Sequence, residues 1–381
     1  MIKRILFVDP VGEKGGAEVV LRDIVCGLDR SRYEPVVVCL KPGPFVEELR
    51  AMGITVFALR AHKTRELHQV AAAILQLSNI IQRERIDLIH SNGCTMLFYG
   101  GLAGHLRGRA CVWHVYDPLK GTGAFEAAFI AAQRRLRPRW TIFGTPAVAE
   151  SYVATYKNLK RYSTILPGVD VEQVTQGAEA GRARKRWQIP RDAPIIAMFA
   201  RMQHMKGHKD LIEAAEQVGV NHPGARFVLC GGTLFGLEQK YPDELRRQIQ
   251  ERDLGERVLL TGFVSDEERR DILAAATVVV HPARSEPFGL AVVEGMAAGK
   301  PIVATDCIGP ALTVQHGETG WLTPRGDVPA LAAALCSLLD NPVQARMMGD
   351  RGRLRVREQF SVNAMVSQVE AIYEKVLGGA A

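Results

Sequence analysis

The chain has no long apolar run, no paired cysteines and no run alternating aromatic with basic residues, and each shortage removes a class of protein. No apolar stretch approaches the roughly 20 residues that cross a bilayer. The N-terminal Lys3-Arg4 precedes only a short apolar core, Ile5 to Val8, too short for a secretory leader. The seven cysteines, at 26, 39, 94, 111, 230, 307 and 336, are scattered, odd in number and without a C-x-x-C pair, so neither a disulfide framework nor a zinc site is signalled. A reducing, cytoplasmic setting is the expectation. The G-x-G-x-x-G spacing of a dinucleotide fingerprint is missing from Gly12-Glu13-Lys14-Gly15-Gly16, and Gly299-Lys300 runs straight into Pro301, so no G-x-x-x-x-G-K-S/T loop for nucleoside triphosphate hydrolysis is present either. Without aromatic-basic interleaving, nucleic-acid binding has only the net charge in its favour.

What is present is material for two cores. At 381 residues the chain exceeds one usual core, and 47% hydrophobic with 23% charged residues is the balance of an ordered globular protein. The net charge of +7 suits an anionic partner. The densest basic run, Arg134, Arg135, Arg137 and Arg139, follows the apolar stretch 125–132, and as a helix with a basic end it reads either as a peripheral contact with anionic lipid on the cytoplasmic face or as a solvated helix end.

Apolar strands alternate with helical periodicity from the start. Strands are expected at 2–9, 34–40, 54–59, 86–91 and 110–115, and helices at 17–28, 44–52, 66–84 and 95–106. A helical region near 124–136 and strands at 140–144 and 162–166 lead to the turn Pro167-Gly168-Val169-Asp170 and a polar, basic segment, 172–193, read as the boundary. A second series follows, with strands at 194–200, 225–230, 257–260, 277–280 and 301–304 and helices at 207–219, 242–253, 266–275 and 289–298. Strands separated by helices imply parallel crossovers, so the fold class is α/β with two Rossmann-like, doubly wound domains in tandem. The domains are expected at 1–170 and 171–360, and the apolar spacing of 361–378 predicts a terminal amphipathic helix.

The segment from His281 to Gly295 is the most informative. It delivers a buried strand through a turn holding Pro287 and Gly289 into a helix, whose free N–H groups suit a diphosphate. Glu286 lies before that helix and Glu294 about one and a half turns inside it, at ~3.6 residues per turn, so the two carboxylates address different parts of one ligand, and hydroxyls are their natural partners. Taken singly, each is as readily a solvated loop acid or a helix-face acid with a basic neighbour. Arg201 and Lys206 follow the strand that ends at Phe199, where ligands of open parallel sheets bind, and their charges suit phosphates. Gly12 to Glu18 offers glycines by which backbone approaches a phosphate or sugar, or a structural turn. His114 closes a strand near Asp117; an isolated histidine is more often structural than catalytic. Asp170-Val171-Glu172 lacks a supporting cluster and reads as a linker, not a cation site.

Together these residues resemble the retaining GT-B glycosyltransferases of the glycosyltransferase 4 family, also called glycosyl transferases group 1. The resemblance is carried by Gly15-Gly16-Ala17-Glu18, Pro167-Gly168-Val169-Asp170, Arg201 with Lys206-Gly207, Thr261-Gly262-Phe263-Val264, Glu286-Pro287-Phe288-Gly289 with Glu294, and His316-Gly317-Glu318-Thr319-Gly320-Trp321-Leu322. It implies two domains facing across a cleft, with residues 361–381 crossing back to the first. The implied activity is transfer of a sugar from a UDP- or GDP-linked donor, without metal or other cofactor, to an acceptor hydroxyl that is saccharide or lipid-linked, as in polysaccharide or glycolipid synthesis. Arg201 and Lys206 would hold the diphosphate, Glu294 the ribose, Glu286 the transferred sugar, Phe288 to Leu290 (with Gly289) sugar and phosphate, and Val264 the base. Gly16 would line the cleft and His114 would be the active-site histidine by the donor sugar. The chain departs from the pattern at Ala200, where relatives carry glycine, at Leu312, where many carry glutamate, and in the longer segment 231–241. An NDP-sugar epimerase or hydrolase, or a non-catalytic nucleotide-sugar-binding protein, are the alternatives on the same architecture.

Overall fold

The computed structural model describes residues 2–59, 67–119, 131, 134–156, 159–234 and 237–379. The chain divides into two compact units, Met1–Gly168 with Val362–Ala381, and Val169–Ser361.

The N-terminal unit is built on seven parallel strands, β1 (Lys3–Asp9), β2 (Tyr33–Cys39), β3 (Thr55–Ala58), β4 (Leu88–Asn92), β5 (Ala110–Val115), β6 (Trp140–Phe143) and β7 (Tyr162–Thr164), in the order β3-β2-β1-β4-β5-β6-β7. Ile5 to Val8 are completely buried, the mark of a strand covered on both faces by helices. The helices Gly16–Gly27, Pro44–Ala51, Leu67–Arg83, Met96–Leu106 and Pro146–Thr155 supply that cover, and a core including Leu6, Val38, Leu77 and Trp113 fills one side. The terminal helix Val362–Leu377 packs on Gly16–Gly27, where Gly27 leaves room for Val366. Most of the helix expected near 124–136, with its apolar stretch, lies outside the described residues; of its basic end, Arg134 donates to the Thr155 carbonyl at 2.7 Å.

The C-terminal unit repeats the plan with six parallel strands, β8 (Ile195–Phe199), β9 (Arg226–Cys230), β10 (Val258–Gly262), β11 (Val278–His281), β12 (Ile302–Thr305) and β13 (Gly320–Thr323), ordered β10-β9-β8-β11-β12-β13. Its core includes Ile196, Phe227, Leu245, Val280 and Leu335.

The basic segment 172–193 belongs to this unit. It forms the short helices Val171–Thr175 and Ala180–Arg186, and Arg182 is tied to buried Asp271 at 2.8 Å. Asp170 explains its own acidity: its carboxylate caps the first of these helices, accepting from the N–H groups of Glu172 and Gln173. Strand β13 and the helices Ile308–Thr313, Val328–Asp340 and Pro342–Gln359 complete the unit where the sequence reading assigned no elements.

Each sheet reverses its strand order once, between β1 and β4 in the N-terminal unit and between β8 and β11 in the C-terminal one. Loops leaving the carboxyl ends of such adjacent strands turn to opposite faces and leave a crevice, which is where ligands of doubly wound sheets bind.

Candidate functional site

In the C-terminal unit the loops leaving β8 and β11 meet over that crevice. The first coils into a short 3-10 turn, His204–Lys206, and passes through Gly207 into the helix His208–Asn221. Gly207 has φ +76°, and a Cβ there would stand 2.0 Å from the Pro282 carbonyl oxygen, so only glycine permits the two loops to touch. The approach delivers Lys206 Nζ to Glu286 Oε2 at 2.7 Å, and His281 Nε2, at the end of β11, reaches the same oxygen at 3.1 Å.

This triad is largely withdrawn from water: the Lys206 side chain is 10% exposed, that of Glu286 14% and that of His281 3%. Burial works to raise the Glu286 pKa, but the hydrogen bond from His281 and the charges of Lys206 and His281 outweigh it and hold the carboxyl well below its usual range. The result is a fixed carboxylate whose other oxygen, Oε1, takes no part in these contacts. The Glu286 carbonyl accepts from Gly309 N–H at 2.9 Å, which anchors the loop.

After Phe288, which is buried, Gly289 adopts φ +89° as the N-cap of the helix Leu290–Ala297. Leu290 is half-buried. Glu294, inside that helix, is paired with Arg269, whose guanidinium also lies 4.6 Å from the centre of the Phe199 ring. Arg201 is half-buried in the loop just beyond β8. Val264, half-buried, follows β10, and its neighbour Phe263 is 61% exposed with its ring against Gly232. Among the described residues no group of three or more His, Cys, Asp or Glu is arranged to hold a metal ion, and no helix is long and apolar enough to cross a membrane.

The remaining two residues singled out in the sequence belong to the N-terminal unit. Gly16 is exposed at the start of the helix Gly16–Gly27, where Glu18 accepts from Gly15 N–H at 2.8 Å. His114, at the end of β5, is 1% exposed, and its Nδ1 lies 3.2 Å from His90 Nε2 and 3.1 Å from the Tyr116 hydroxyl. Burial, and secondarily the neighbouring His90, push the His114 pKa well below its ordinary value, so the ring is neutral. Asp9, at the end of β1, is fully buried; burial first, and the charge of Glu18 second, raise its carboxyl to about 8 against the hydrogen bonds from Asn92 and Val11.

Sequence reasoning did not single out His281, Arg269, His90, Asp9 or Asn92. His281, Asp9 and Asn92 share one legible signal, a polar residue closing an apolar strand. Arg269 has no such signal, since its partner is 25 residues away on another helix.

The profile of the Glycosyl transferases group 1 family matches residues 180–355, and that of Glycosyltransferase Family 4 matches residues 14–173. Among curated proteins, D-inositol 3-phosphate glycosyltransferase 1 of Catenulispora acidiphila is 32% identical over 261 residues, which is 67% of this chain and 60% of that protein. The D-inositol 3-phosphate glycosyltransferase of Mycolicibacterium smegmatis is 31% identical over 62% of this chain and 52% of its own length. The chain thus aligns with roughly half to three fifths of these relatives. Among solved structures, Anabaena Alr3699/HepE in complex with UDP and glucose superposes with a TM-score of 0.87 at 26% identity, over 98% of this chain and 100% of that one. A sucrose-phosphate synthase from Thermosynechococcus elongatus shares the fold, with a TM-score of 0.81 at 22% identity over 99% of this chain and 100% of its own.

Proposed function

The chain belongs to glycosyltransferase family 4, and from that membership we propose that it transfers a sugar from a nucleoside diphosphate sugar to an acceptor hydroxyl, with retention of configuration and without a metal. The observation that carries the reading is the Lys206–Glu286–His281 triad over the crevice between β8 and β11. A cation and a fixed carboxylate side by side, next to the start of the helix Leu290–Ala297, suit the two halves of a donor. Lys206, Arg201 and the N–H groups at that helix start take the diphosphate, while Glu286 accepts from sugar hydroxyls. Glu294, held by Arg269, accepts from the ribose hydroxyls, and the backbone from Phe288 to Leu290 closes on sugar and phosphate.

The chemical demand is charge. As the bond to the diphosphate breaks, negative charge grows on the leaving oxygen and positive charge on the sugar. Donors already fixed where that charge develops stabilise it without reorganisation, which is why a metal is not required. Attack of the acceptor hydroxyl from the face that the diphosphate leaves retains the configuration. Glu286 works in this scheme as a hydrogen-bond acceptor and a fixed negative charge, with no covalent intermediate.

The Anabaena protein with UDP and glucose in its crystal favours UDP as the nucleotide here. The test is a panel of UDP- and GDP-sugars offered with phosphorylated polyol, saccharide and lipid-linked acceptors, in EDTA. Acceptor-dependent release of the nucleoside diphosphate, with a product whose anomeric configuration matches the donor's, is the expected result. Release at the same rate without any acceptor would make the chain a hydrolase, and binding without release would make it a nucleotide-sugar-binding protein.

A further inference from the structure

At the carboxyl ends of β1, β4 and β5 the N-terminal unit buries a continuous chain of polar side chains. Asn92 Nδ2 donates to Asp9 Oδ2 at 2.7 Å, the Tyr116 hydroxyl donates to Asn92 Oδ1 at 2.9 Å, and His114 Nδ1 meets the Tyr116 oxygen at 3.1 Å. The same His114 Nδ1 lies 3.2 Å from His90 Nε2, and His90 Nδ1 lies 2.6 Å from the Tyr373 hydroxyl of the terminal helix. Among the described residues, His114 Nε2 is buried with no hydrogen-bond partner. A buried polar nitrogen left unsatisfied is costly, and it points to a ligand atom that completes it.

The direction of the chain settles what that nitrogen offers. A carboxylate only accepts, so an ionised Asp9 holds the amide nitrogen of Asn92 towards itself, and the Ala17 carbonyl at 3.5 Å adds a second acceptor on that side. The Asn92 oxygen must then face Tyr116, and the Tyr116 hydrogen goes to it. Tyr116 has only lone pairs left for His114, which therefore carries its hydrogen on Nδ1. His90 Nε2 accepts from the same hydrogen, and His90 donates its own to Tyr373. The His114 Nε2 lone pair is left bare.

A protonated Asp9 reverses each link. Its O–H donates to the Asn92 oxygen once the amide turns, the amide nitrogen donates to Tyr116, and the hydroxyl donates to His114 Nδ1, which places the His114 hydrogen on Nε2; His90 moves its own hydrogen to Nε2, facing His114 Nδ1, and its Nδ1 accepts from the Tyr373 hydroxyl. The two states differ by one proton, released from Asp9 to solvent. Tyr116, His114, His90 and Tyr373 keep their proton count and only change where the hydrogen sits.

We propose that Asp9, Asn92 and Tyr116 are positioning residues that choose which ring nitrogen of His114 carries the proton. With Asp9 ionised, Nε2 accepts a hydrogen bond from a ligand hydroxyl; with Asp9 protonated, Nε2 donates one. The consequence for catalysis rests on the proposed sugar transfer. The titratable groups facing Asp9 are Glu18 from the helix Gly16–Gly27, Cys39 from β2 and Tyr116 beyond β5, while His90, Tyr116 and, through His90, Tyr373 face His114. Burial keeps both histidines neutral, so the question is one of tautomer and not of charge.

The test is long-range 1H–15N correlation on the full chain with 15N-histidine and no ligand, recorded on both sides of pH 8, where Asp9 titrates. A His114→Gln variant assigns the signals. The expected result is an Nδ1–H pattern for His114 above that pH, an Nε2–H pattern below it, and no imidazolium in between. Asp9→Asn and Tyr116→Phe should each abolish the step. One tautomer throughout in the wild type, or the same step surviving in either variant, overturns the proposal; if Asp9→Asn does not fold, Tyr116→Phe decides alone. The readout needs no donor, so absence of sugar transfer would leave the tautomer result standing, and a failed tautomer test would leave the transfer reading standing.

Discussion

Glu286 is an acid whose neighbours were chosen to keep it charged, and that shapes what its partner's removal does. Lys206→Ala leaves a carboxylate with little access to water facing His281 alone. Breaking a buried ion pair by deleting one partner costs about 3–5 kcal/mol, and the remaining hydrogen bond from His281 places this case at the lower end. Lys206→Ala should therefore lower the unfolding free energy of the C-terminal unit by about 3 kcal/mol in urea. Lys206→Ala with Glu286→Gln should recover much of that loss, and a double variant as unstable as the single one would show that the pair is not coupled. Glu286 and Lys206 each stood out because each sits in a motif, although the contact between them, 80 residues apart, was not legible. Nor was the tie of Glu294 to Arg269: sequence offers Glu294 as a ligand for hydroxyls, and the structure gives it a standing cation as well.

At the scale of elements, the strands were the clearest feature, because burial on both faces demands short apolar runs bounded by turns. The segment 172–193 was read as a boundary for its charge, yet Arg182 uses that charge to fasten the helix Ala180–Arg186 to Asp271. The helices Val328–Asp340 and Pro342–Gln359 went unread because no chemistry-bearing motif drew attention to them, although Asp327, which caps the first by accepting from Ala330 N–H, and the prolines early in each are start signals. The meeting of the β8 and β11 loops depends on one residue without a side chain. Gly207→Ala would impose a strained φ and drive a methyl into the Pro282 carbonyl, so it should destabilise the C-terminal unit by at least about 2 kcal/mol. The same change should weaken nucleotide binding, since the loops that carry Lys206 and Glu286 would part. Calorimetric unfolding with and without UDP checks both, and an unchanged melting profile would show that the contact is dispensable.

Across the whole molecule, buried titratable groups set how stability follows pH. Burial lowers His90 to about 3 and His208 to about 4, and lowers His114 as well. Between those values and 6.5 the unfolded chain binds protons that the folded one refuses, so stability rises with pH over that window. Asp9 acts in the opposite sense: raised from 3.8 to about 8, it binds a proton in the folded state that the unfolded chain has lost, and stability falls as pH climbs through that range. Three histidines outweigh one aspartate in acid, and above 6.5 the aspartate acts alone among these groups, which places their combined optimum near pH 6.5. Asp9→Asn should flatten the alkaline decline, by up to about 1.4 kcal/mol per pH unit between 6.5 and 8. Identical pH dependence of urea unfolding in the two proteins would mean that Asp9 is not held protonated.

The two-unit plan was readable from the alternation of strands and helices alone, with the division at Gly168 and Val169 falling at the Pro-Gly turn. The Lys206–Glu286 pairing was not, because it forms only when two loops from different strands are brought together. The central claim, that Lys206 of this triad holds the diphosphate of a donor without a metal, is tested most directly by titration calorimetry of UDP in EDTA against the wild type and Lys206→Ala, at a temperature where circular dichroism shows both folded. Loss of a charge-assisted hydrogen bond, about 1.5–3 kcal/mol, predicts affinity weaker by roughly 10- to 150-fold in the variant. Equal affinity in the two, or binding by the wild type only after a divalent cation is added, would contradict it.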